Sequence, residues 1–341
     1  MRVDDAVLNC VCFLCVQDTR GGQRRYLYIG TCFFVIVVDG RGRDVGEFVY
    51  LVTARHVLRK ASEHGYHDFW VRVNRRDGSA RHIAINREWH YHDNEAVDLA
   101  VVPVDVTGED DVALIHDGSL VRPELIEKLA IGVGDDLFLP GLFADRPGTD
   151  RNRPVIRDGI IAAMTGEDFA DDDSGFPYRA YLAEVRSIGG LSGSPVFVHV
   201  PPHRIPPPPF PMRSEPPGEV FLLGVIRGHF DYKVALPTAE FSRAELHKIN
   251  MGIAVVTPSD DLNAVLNSEA VVKERREQIN ELRRRRAPTL DSALEETQRG
   301  PEPERLRIDG ALEDAARKLA RTPRPEGGFP KPASRKRKPK G

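Results

Sequence analysis

The stretch Gly189-Gly-Leu-Ser192-Gly-Ser-Pro-Val-Phe197 places a serine in a glycine-rich turn that runs directly into a β-strand. Two earlier segments complete a pattern with it. In Tyr50-Leu-Val-Thr-Ala-Arg-His56 a β-run ends shortly before a histidine, and in Asp98-Leu-Ala-Val-Val102 an acid directly precedes an apolar strand. Each segment alone is weak evidence, because a histidine after a strand or an acid before one is most often structural. The three together, in the order His, Asp, Ser, predict one catalytic constellation.

These residue types suit nucleophilic catalysis. A serine hydroxyl is a poor nucleophile until a neighbouring base takes its proton, and an imidazole is able to do so near neutral pH. A buried carboxylate fixes the tautomer of the imidazole and stabilises its charged form. Glycines beside the serine let two backbone N–H groups point at one spot, where they bind an oxyanion. We therefore interpret His56, Asp98 and Ser192 as base, orienting acid and nucleophile.

Most of the chain reads as short strands separated by turn signals. Runs of β-branched and aromatic residues recur up to about residue 265, and few segments show sustained helical periodicity. A short connecting helix is predicted at Pro123–Leu129 and a terminal helix at Pro258–Leu266, the latter with Ser259 as its cap. The predicted strands are Ala6–Gln17, Tyr26–Val38, Glu47–Thr53, Phe69–Asn74, Arg81–Asn86, Leu99–Val104, Asp136–Leu142, Val155–Met164, Tyr181–Val185, Pro195–Val200, Val220–Arg227 and Gly252–Val256. Two clusters of strands around a helical connection indicate two antiparallel barrels or sandwiches.

On these motifs the sequence resembles the trypsin-like (chymotrypsin-fold) serine peptidases, and within them the bacterial, disulfide-poor branch with HtrA/Deg-type protease domains. The resemblance covers roughly residues 5–266 and includes Gly30-Thr31, Gly224-Val-Ile-Arg-Gly228 and Met251-Gly-Ile-Ala-Val255. It implies an all-β fold of two antiparallel six-stranded β-barrels with the site in the cleft between them. It also implies an oxyanion hole made by the backbone N–H groups of Gly190 and Ser192.

The implied organisation has six parts. An N-terminal barrel (1–115) carries His56 and Asp98, a connection (116–130) follows, and a C-terminal barrel (131–267) carries Ser192. The remaining parts are a proline-rich insertion within the second barrel (201–218), an exposed helix (268–286) and a disordered basic tail (287–341).

Two departures from the family pattern bear on activation and regulation. Trypsins have an acid immediately before the serine, which pairs with a freed N-terminus, whereas here the position is Leu191. Activation by N-terminal insertion is therefore not expected. The residues after the peptidase-like region are too few and too polar for a PDZ-like domain, which argues against a full HtrA-type quality-control protease.

The primary specificity pocket is predicted by the resemblance to include Arg186 at its floor and Arg227, Gly228 and His229 at its edge. If both arginines face the cleft, an acidic substrate side chain supplies the partner that a buried guanidinium needs, and cleavage follows Asp or Glu. If Arg186 points outward, the pocket is apolar and prefers small aliphatic residues. The sequence leaves both alternatives open.

Composition separates a mildly acidic body from a basic tail. From Val271 onward 20 basic and 12 acidic residues give about +8, and the rest of the chain carries about −11. The basic tail and the proline-rich loop are candidate sites for a protein partner. Specific nucleic-acid binding is not expected, because Phe329 is the only aromatic residue among the basic residues of the tail. The four cysteines all lie before residue 33, which favours a reducing, cytoplasmic setting.

Cys10-x-Cys12-x-x-Cys15 and His90-Tyr-His92-Asp93 contain metal-ligand types, but neither has the spacing of a complete site, so no metal or cofactor is expected. The sequence thus predicts a serine endopeptidase that acts on polypeptides. A latent or inactive module of the same fold, which acts by binding proteins and depends on a partner for any activity, remains the alternative. An α/β-hydrolase is disfavoured, because its order of catalytic residues is different.

Overall fold

The computed structural model describes residues 3–20, 22–39, 46–144, 146–164, 169–170, 177–185, 191–205, 219–233 and 248–296. The chain separates into two compact units, residues 1–282 and 283–341. Both β-structures and the candidate site lie in the first unit. Of the second unit, the structure describes residues 283–296, which are helical.

An eight-stranded sheet forms the N-terminal half of the first unit. Its strands are β1 (Val11–Asp18), β2 (Arg25–Asp39), β3 (Gly46–Thr53), β4 (Phe69–Asn74), β5 (Ala80–Ala84), β6 (His90–Tyr91), β7 (Ala100–Pro103) and β8 (Ile115–His116). They pair in the order β5-β4-β1-β2-β3-β7-β6, and β8 runs parallel to β2. The long strand β2 is rich in aromatic and β-branched residues, which suits a strand with neighbours on both sides.

A closed six-stranded barrel forms the C-terminal half. Its region contains β9 (Asp136–Gly141), β10 (Val155–Met164), β11 (Phe169–Ala170), β12 (Pro177–Tyr178), β13 (Tyr181–Val185), β14 (Pro195–Val200), β15 (Glu219–Lys233) and β16 (Lys248–Pro258). The barrel order is β10-β13-β16-β15-β14-β9, while β11 and β12 pair only with each other. Closure leaves no unpaired barrel edge, so the strand ends and loops are the parts of the barrel available for function.

Within the described ranges, five α-helices accompany the strands: α1 (Asp5–Leu8), α2 (Arg55–Glu63), α3 (Pro123–Leu129), α4 (Ser259–Leu266) and α5 (Glu269–Glu296). Helix α3 has the predicted bounds and leads into the barrel. Ser259 is the first residue of α4 and not its cap, because its buried hydroxyl donates to the carbonyl of Val121 at 2.8 Å. Sequence analysis predicted no helix at α2, the segment that carries His56.

Three apolar clusters hold the unit together. One fills the first sheet around Leu14, Phe34 and Val71, and another fills the barrel around Leu139 and Val198. A third cluster joins the two β-structures and helix α4, and it includes Phe33, Phe138, Phe197 and Leu262. Burial of this shared apolar surface fixes the sheet against the barrel, which is what a site assembled from both requires.

The helix predicted as exposed is longer and partly buried. Val271 on α5 is fully buried, and Arg275 is only 2% exposed. Arg275 donates to Asp39 at 2.9 Å and to the carbonyl of Leu266 at 2.6 Å. A buried guanidinium needs such partners, so the first half of α5 is part of the folded unit. The helix continues to Glu296, into the segment that sequence analysis assigned to the tail.

The all-β fold class is confirmed, with one closed six-stranded barrel as predicted. The N-terminal β-structure has eight strands where six were expected, because the two-residue strands β6 and β8 join it. Residues 206–218 of the proline-rich segment and 297–341 of the tail lie outside the described residues. No helix in the described part of the chain is long and apolar enough to cross a membrane.

The cysteines are buried free thiols. All four are buried, and burial raises the pKa of the Cys10, Cys12 and Cys15 thiols. A thiol whose pKa is raised is a weak nucleophile and a weak metal ligand at neutral pH. Their role in this fold is therefore packing.

Candidate active site

His56 lies in the first turn of α2, directly after β3 ends at Thr53. The residue before the helix is Ala54, whose side chain makes no capping hydrogen bond. Asp98 from another segment fills that role, because its Oδ1 accepts the backbone N–H of His56 at 2.7 Å. A carboxylate at a helix N-terminus is stabilised by the exposed N–H groups there. This contact fixes where Asp98 stands relative to the histidine.

The same carboxylate also contacts the histidine ring. Oδ2 of Asp98 lies 2.6 Å from Nδ1 of His56. With Asp98 ionised, Nδ1 carries the proton of that hydrogen bond, and Nε2 is left as the basic nitrogen. The His56 side chain is 20% exposed and that of Asp98 7%, so the ring faces the site while the carboxylate is mostly hidden.

Asp98 is held by the chain on both sides. Val97 and Leu99 are buried in the apolar cluster that joins the sheet and the barrel, and β7 follows at Ala100. On the N-terminal side, Asn94 Oδ1 accepts the N–H of Ala96 at 3.0 Å and forms a tight turn. Anchored neighbours leave the carboxylate little freedom, which suits a group that must orient an imidazole.

Ser192 lies in a turn just before β14. The turn is closed by the N–H of Ser194, which donates to the carbonyl of Leu191 at 2.9 Å. Gly193 has φ +85°, a backbone conformation that favours glycine, and its N–H donates to Ile226 on β15 at 2.9 Å. The backbone conformation of the turn therefore explains why a glycine follows the serine.

This turn contacts the first sheet closely. The N–H of Thr31 donates to the carbonyl of Ser192 at 3.1 Å, and the Thr53 hydroxyl donates to the carbonyl of Thr31 at 2.8 Å. A Cβ at position 193 would lie 2.2 Å from the Thr31 carbonyl oxygen. The serine turn thus packs against the middle of β2 and the end of β3, beside the start of α2. His56 and Ser192 line one pocket of about 320 Å³.

Leu191 explains how the turn is held without the acid of trypsins. Its side chain is 2% exposed and packs in the barrel cluster against β9, where a Cβ on Gly141 would lie 2.2 Å from it. An apolar anchor therefore takes the place of an ion pair. Sequence analysis identified the departure but had no signal for this packing.

Arg227 reaches from the barrel to the segment that carries Asp98. Its Nη1 lies 2.5 Å from the carbonyl oxygen of Ala96, and its guanidinium lies 4.0 Å from the ring centre of Tyr178. Gly228 follows on β15, and a Cβ there would meet no atom within 4 Å. The backbone of His229 belongs to the same strand. Arg186 and Gly190 lie outside the described residues.

The histidines considered as metal ligands have other partners. Nε2 of His90 lies 3.1 Å from Glu274 of α5, and Nδ1 of His92 accepts the N–H of Asn94 at 3.0 Å. Within the described ranges, no cluster of three or more His, Cys, Asp or Glu side chains is arranged to hold a metal ion.

The fold and the segments that carry the motifs define a class of protein. Residues 30–199 match the family model of the trypsin-like peptidase domain. This segment is therefore a trypsin-like peptidase domain, as the sequence motifs indicated. No curated protein sequence matches the chain.

Solved structures with a similar fold include three proteases. The HtrA-type protease AlgW with a decapeptide has 15% identity and a TM-score of 0.41, and the match covers 79% of this chain and 66% of that one. The MamO protease domain from Magnetospirillum magneticum has 13% identity and a TM-score of 0.44, with 77% and 99% covered. Deg5 has 16% identity and a TM-score of 0.40, with 76% and 88% covered.

Proposed function

We propose that the chain is a serine endopeptidase that hydrolyses peptide bonds of polypeptides through His56, Asp98 and Ser192. The observation that carries the proposal is the double contact of Asp98 with His56, to the backbone N–H at 2.7 Å and to the ring Nδ1 at 2.6 Å. This arrangement leaves Nε2 as a base in the pocket that Ser192 also lines. A carboxylate that fixes the imidazole tautomer, in a pocket shared with a serine, supports the role of His56 as a general base.

In the proposed reaction, His56 Nε2 takes the proton of the Ser192 hydroxyl while Oγ attacks the substrate carbonyl carbon. The resulting imidazolium gives the proton to the leaving amine when the C–N bond breaks. A water molecule then attacks the acyl carbon, with His56 again as the base. The bond between the acyl carbon and Ser192 Oγ breaks, Oγ takes the proton from the imidazolium, and the carboxylic acid product leaves. Asp98 stays ionised throughout and stabilises the imidazolium.

The oxyanion of each tetrahedral intermediate needs hydrogen-bond donors. We propose the backbone N–H groups of Gly190 and Ser192 for this role, on the basis of the family resemblance. The left-handed conformation of Gly193 and its hydrogen bond to Ile226 support the sharp turn that such donors need. Each donor contributes about 3–4 kcal/mol to stabilisation of the transition state.

Primary specificity has one new constraint. Arg227 donates to the Ala96 carbonyl and lies over the Tyr178 ring, so its guanidinium already has protein partners. A preference for Asp or Glu before the scissile bond therefore depends on Arg186. If Arg186 is directed away from the cleft, the pocket edge formed by Gly228 and the rest of β15 favours a substrate with a small aliphatic side chain before the scissile bond.

The decisive experiment is labelling with a fluorophosphonate probe, followed by intact-mass and peptide mapping. The proposal expects a single adduct on Ser192 in the wild-type chain and none in Ser192→Ala. It also expects cleavage of an unfolded protein substrate by the wild type alone. Labelling of neither protein, with both folded, would instead favour the inactive binding module.

A further inference from the structure

The pocket shared by His56 and Ser192 extends into the first sheet. Its volume is about 320 Å³. Its other lining residues are Val16, Leu27, Ile29, Val57, Lys60, Ala61, His64 and Tyr66. Strands β1 and β2 provide one wall, which is aliphatic. Helix α2 and the residues just after it provide the other wall, where Val57 and Ala61 lie among polar and aromatic side chains. Among the described residues that line it, Ser192 is the one contributed by the barrel.

The chemistry identifies which part of a substrate meets this pocket. In the proposed reaction, His56 protonates the amine that leaves, so the segment after the scissile bond must lie beside the imidazole. His56 and the next residue of α2, Val57, both line this pocket. The acyl segment, by contrast, must lie towards the barrel, where the Ser192 turn and β15 are.

We propose that this pocket binds the side chain of the residue directly after the scissile bond, with a large apolar side chain such as Leu or Phe preferred and an acidic residue favoured at the next position. The inference rests on the proposed peptidase function. It adds a preference on the leaving-group side, whereas the residues discussed for primary specificity act on the acyl side.

Size and polarity support the apolar part. A volume of about 320 Å³ is near the lower end of small-molecule sites, which start at about 300 Å³, and is ample for one large side chain. Val57 and Ala61 are buried parts of the wall, and Leu27 and Ile29 are partly buried. A small substrate residue would leave these surfaces uncovered, so a large apolar residue gains the hydrophobic contact.

Charge at the rim supports the acidic part. Lys60 and His64 line the pocket and are exposed, so they lie at its mouth. Within the described part of the chain, no carboxylate forms an ion pair with the Lys60 amine. The Asp18 carboxylate forms ion pairs with Arg20 and Arg25. The Arg20 guanidinium lies 5.0 Å from the Tyr66 ring centre. The mouth therefore carries excess positive charge, which attracts a carboxylate.

Acyl transfer measures this pocket directly. An ester substrate forms the acyl-enzyme, and an added amino acid amide competes with water for it. The amine nitrogen attacks the acyl carbon, the bond to Ser192 Oγ breaks, and the amine proton passes through His56 to Oγ. The ratio of aminolysis to hydrolysis then reports how well the amide binds on the leaving-group side.

We expect leucinamide to capture the acyl-enzyme about tenfold more efficiently than glycinamide. Leu-Asp amide should capture it several-fold better than Leu-Lys amide. Leu27→Trp, which fills the pocket from a partly buried position, should remove the advantage of leucinamide. Lys60→Glu should reverse the preference between the two dipeptides, while Arg59→Glu on the same helix, outside the pocket lining, should preserve it.

Two failures are distinguishable. Equal capture of leucinamide and glycinamide by an enzyme whose Ser192 labels with the probe overturns this inference and leaves the peptidase function standing. Absence of both labelling and ester turnover overturns the peptidase function together with the inference. A Leu27→Trp variant that labels normally and keeps the leucinamide advantage also contradicts the pocket assignment.

Discussion

The two halves of the candidate site are built in different ways. The His56 half is complete within the first sheet, where one carboxylate bonds both the backbone and the ring of the histidine. The Ser192 half is a short turn of the barrel, and its position depends on contacts with Thr31 across the interface and with Ile226 beside it. The contact between His56 and Asp98 is thus preorganised locally, whereas Ser192, the proposed nucleophile, is positioned by the fit between two β-structures. Disruption of either half should have a distinct signature.

The largest effect is expected from removal of the base. His56→Ala should lower kcat by about 10⁴–10⁶-fold, because Ser192 then lacks the base that takes its proton. The fold should survive, since the ring contacts the site and not a core. Steady-state cleavage of a peptide substrate, with circular dichroism on the same sample, tests this. Wild-type turnover in the variant would refute the assignment of the base.

Asp98→Asn tests the local half more selectively. The amide oxygen can still accept the His56 N–H and cap α2, so the structure should persist. Its NH₂ group cannot accept from Nδ1, which holds the imidazole in the wrong tautomer and should lower kcat by about 10⁴-fold. A pH–rate profile and a thermal melt separate the two consequences. A loss smaller than tenfold would point to another acid, with Asp93 and Glu95 nearest in sequence.

Gly193→Ala tests the Ser192 half, because Gly193 lies in the turn that carries the serine. The new Cβ would meet the Thr31 carbonyl oxygen and requires a left-handed backbone at φ +85°, so the turn must move away from the sheet. A displacement of about 1 Å at a catalytic group costs about 10²-fold in rate. We expect that loss in kcat/KM together with a lower Tm. Gly132→Ala, where a Cβ meets no atom within 4 Å, is the control and should retain both.

The sequence was sufficient for the fold class and for the proximity of His56 and Asp98. Thr53-Ala54-Arg55-His56 follows the end of β3 and Asp98-Leu99 precedes the start of β7, and the ends of strands are where a β-fold exposes functional groups. The sequence did not predict how the strands pair or which of them close into a barrel, because strand register and barrel closure depend on contacts between residues far apart along the chain. Helix α2 was missed because it follows directly on the apolar run of β3 and begins after Ala54, which is not a capping residue, so no start signal separates the helix from the strand.

The buried face of α5 was missed for a related reason. Its abundant Glu and Arg residues indicate a solvated helix, and only tertiary contacts reveal that Val271 and Arg275 face the folded unit. The role of Arg227 was likewise hidden, since a sequence does not show whether a guanidinium faces substrate or protein. The partners of a long side chain are a property of packing, and a local pattern does not encode them.

Substitution of Arg227 should have the smallest effect, and it tests whether the His56 half and the Ser192 half of the site are coupled, because Arg227 links them. Ile226 bonds the serine turn on both sides, through Gly193 and Ser194, and the next residue donates to Ala96, two residues before Asp98. Arg227→Ala should therefore lower kcat about tenfold for all substrates, with KM little changed, since an interaction that only positions groups is lost equally for each substrate.

Comparison with conservative and remote variants makes the test of Arg227 specific. Arg227→Lys keeps the charge but loses the flat contact with Tyr178 and should have an intermediate kcat. Arg153→Ala removes the same charge from an exposed position and should match the wild type. A peptide-library profile supplies the opposing outcome. If Arg227→Ala abolishes cleavage after Asp or Glu and leaves other substrates unaffected, Arg227 reads the substrate and does not position the site. If the cleavage profile is unchanged while the rate falls uniformly, the two halves of the site are coupled through this one side chain.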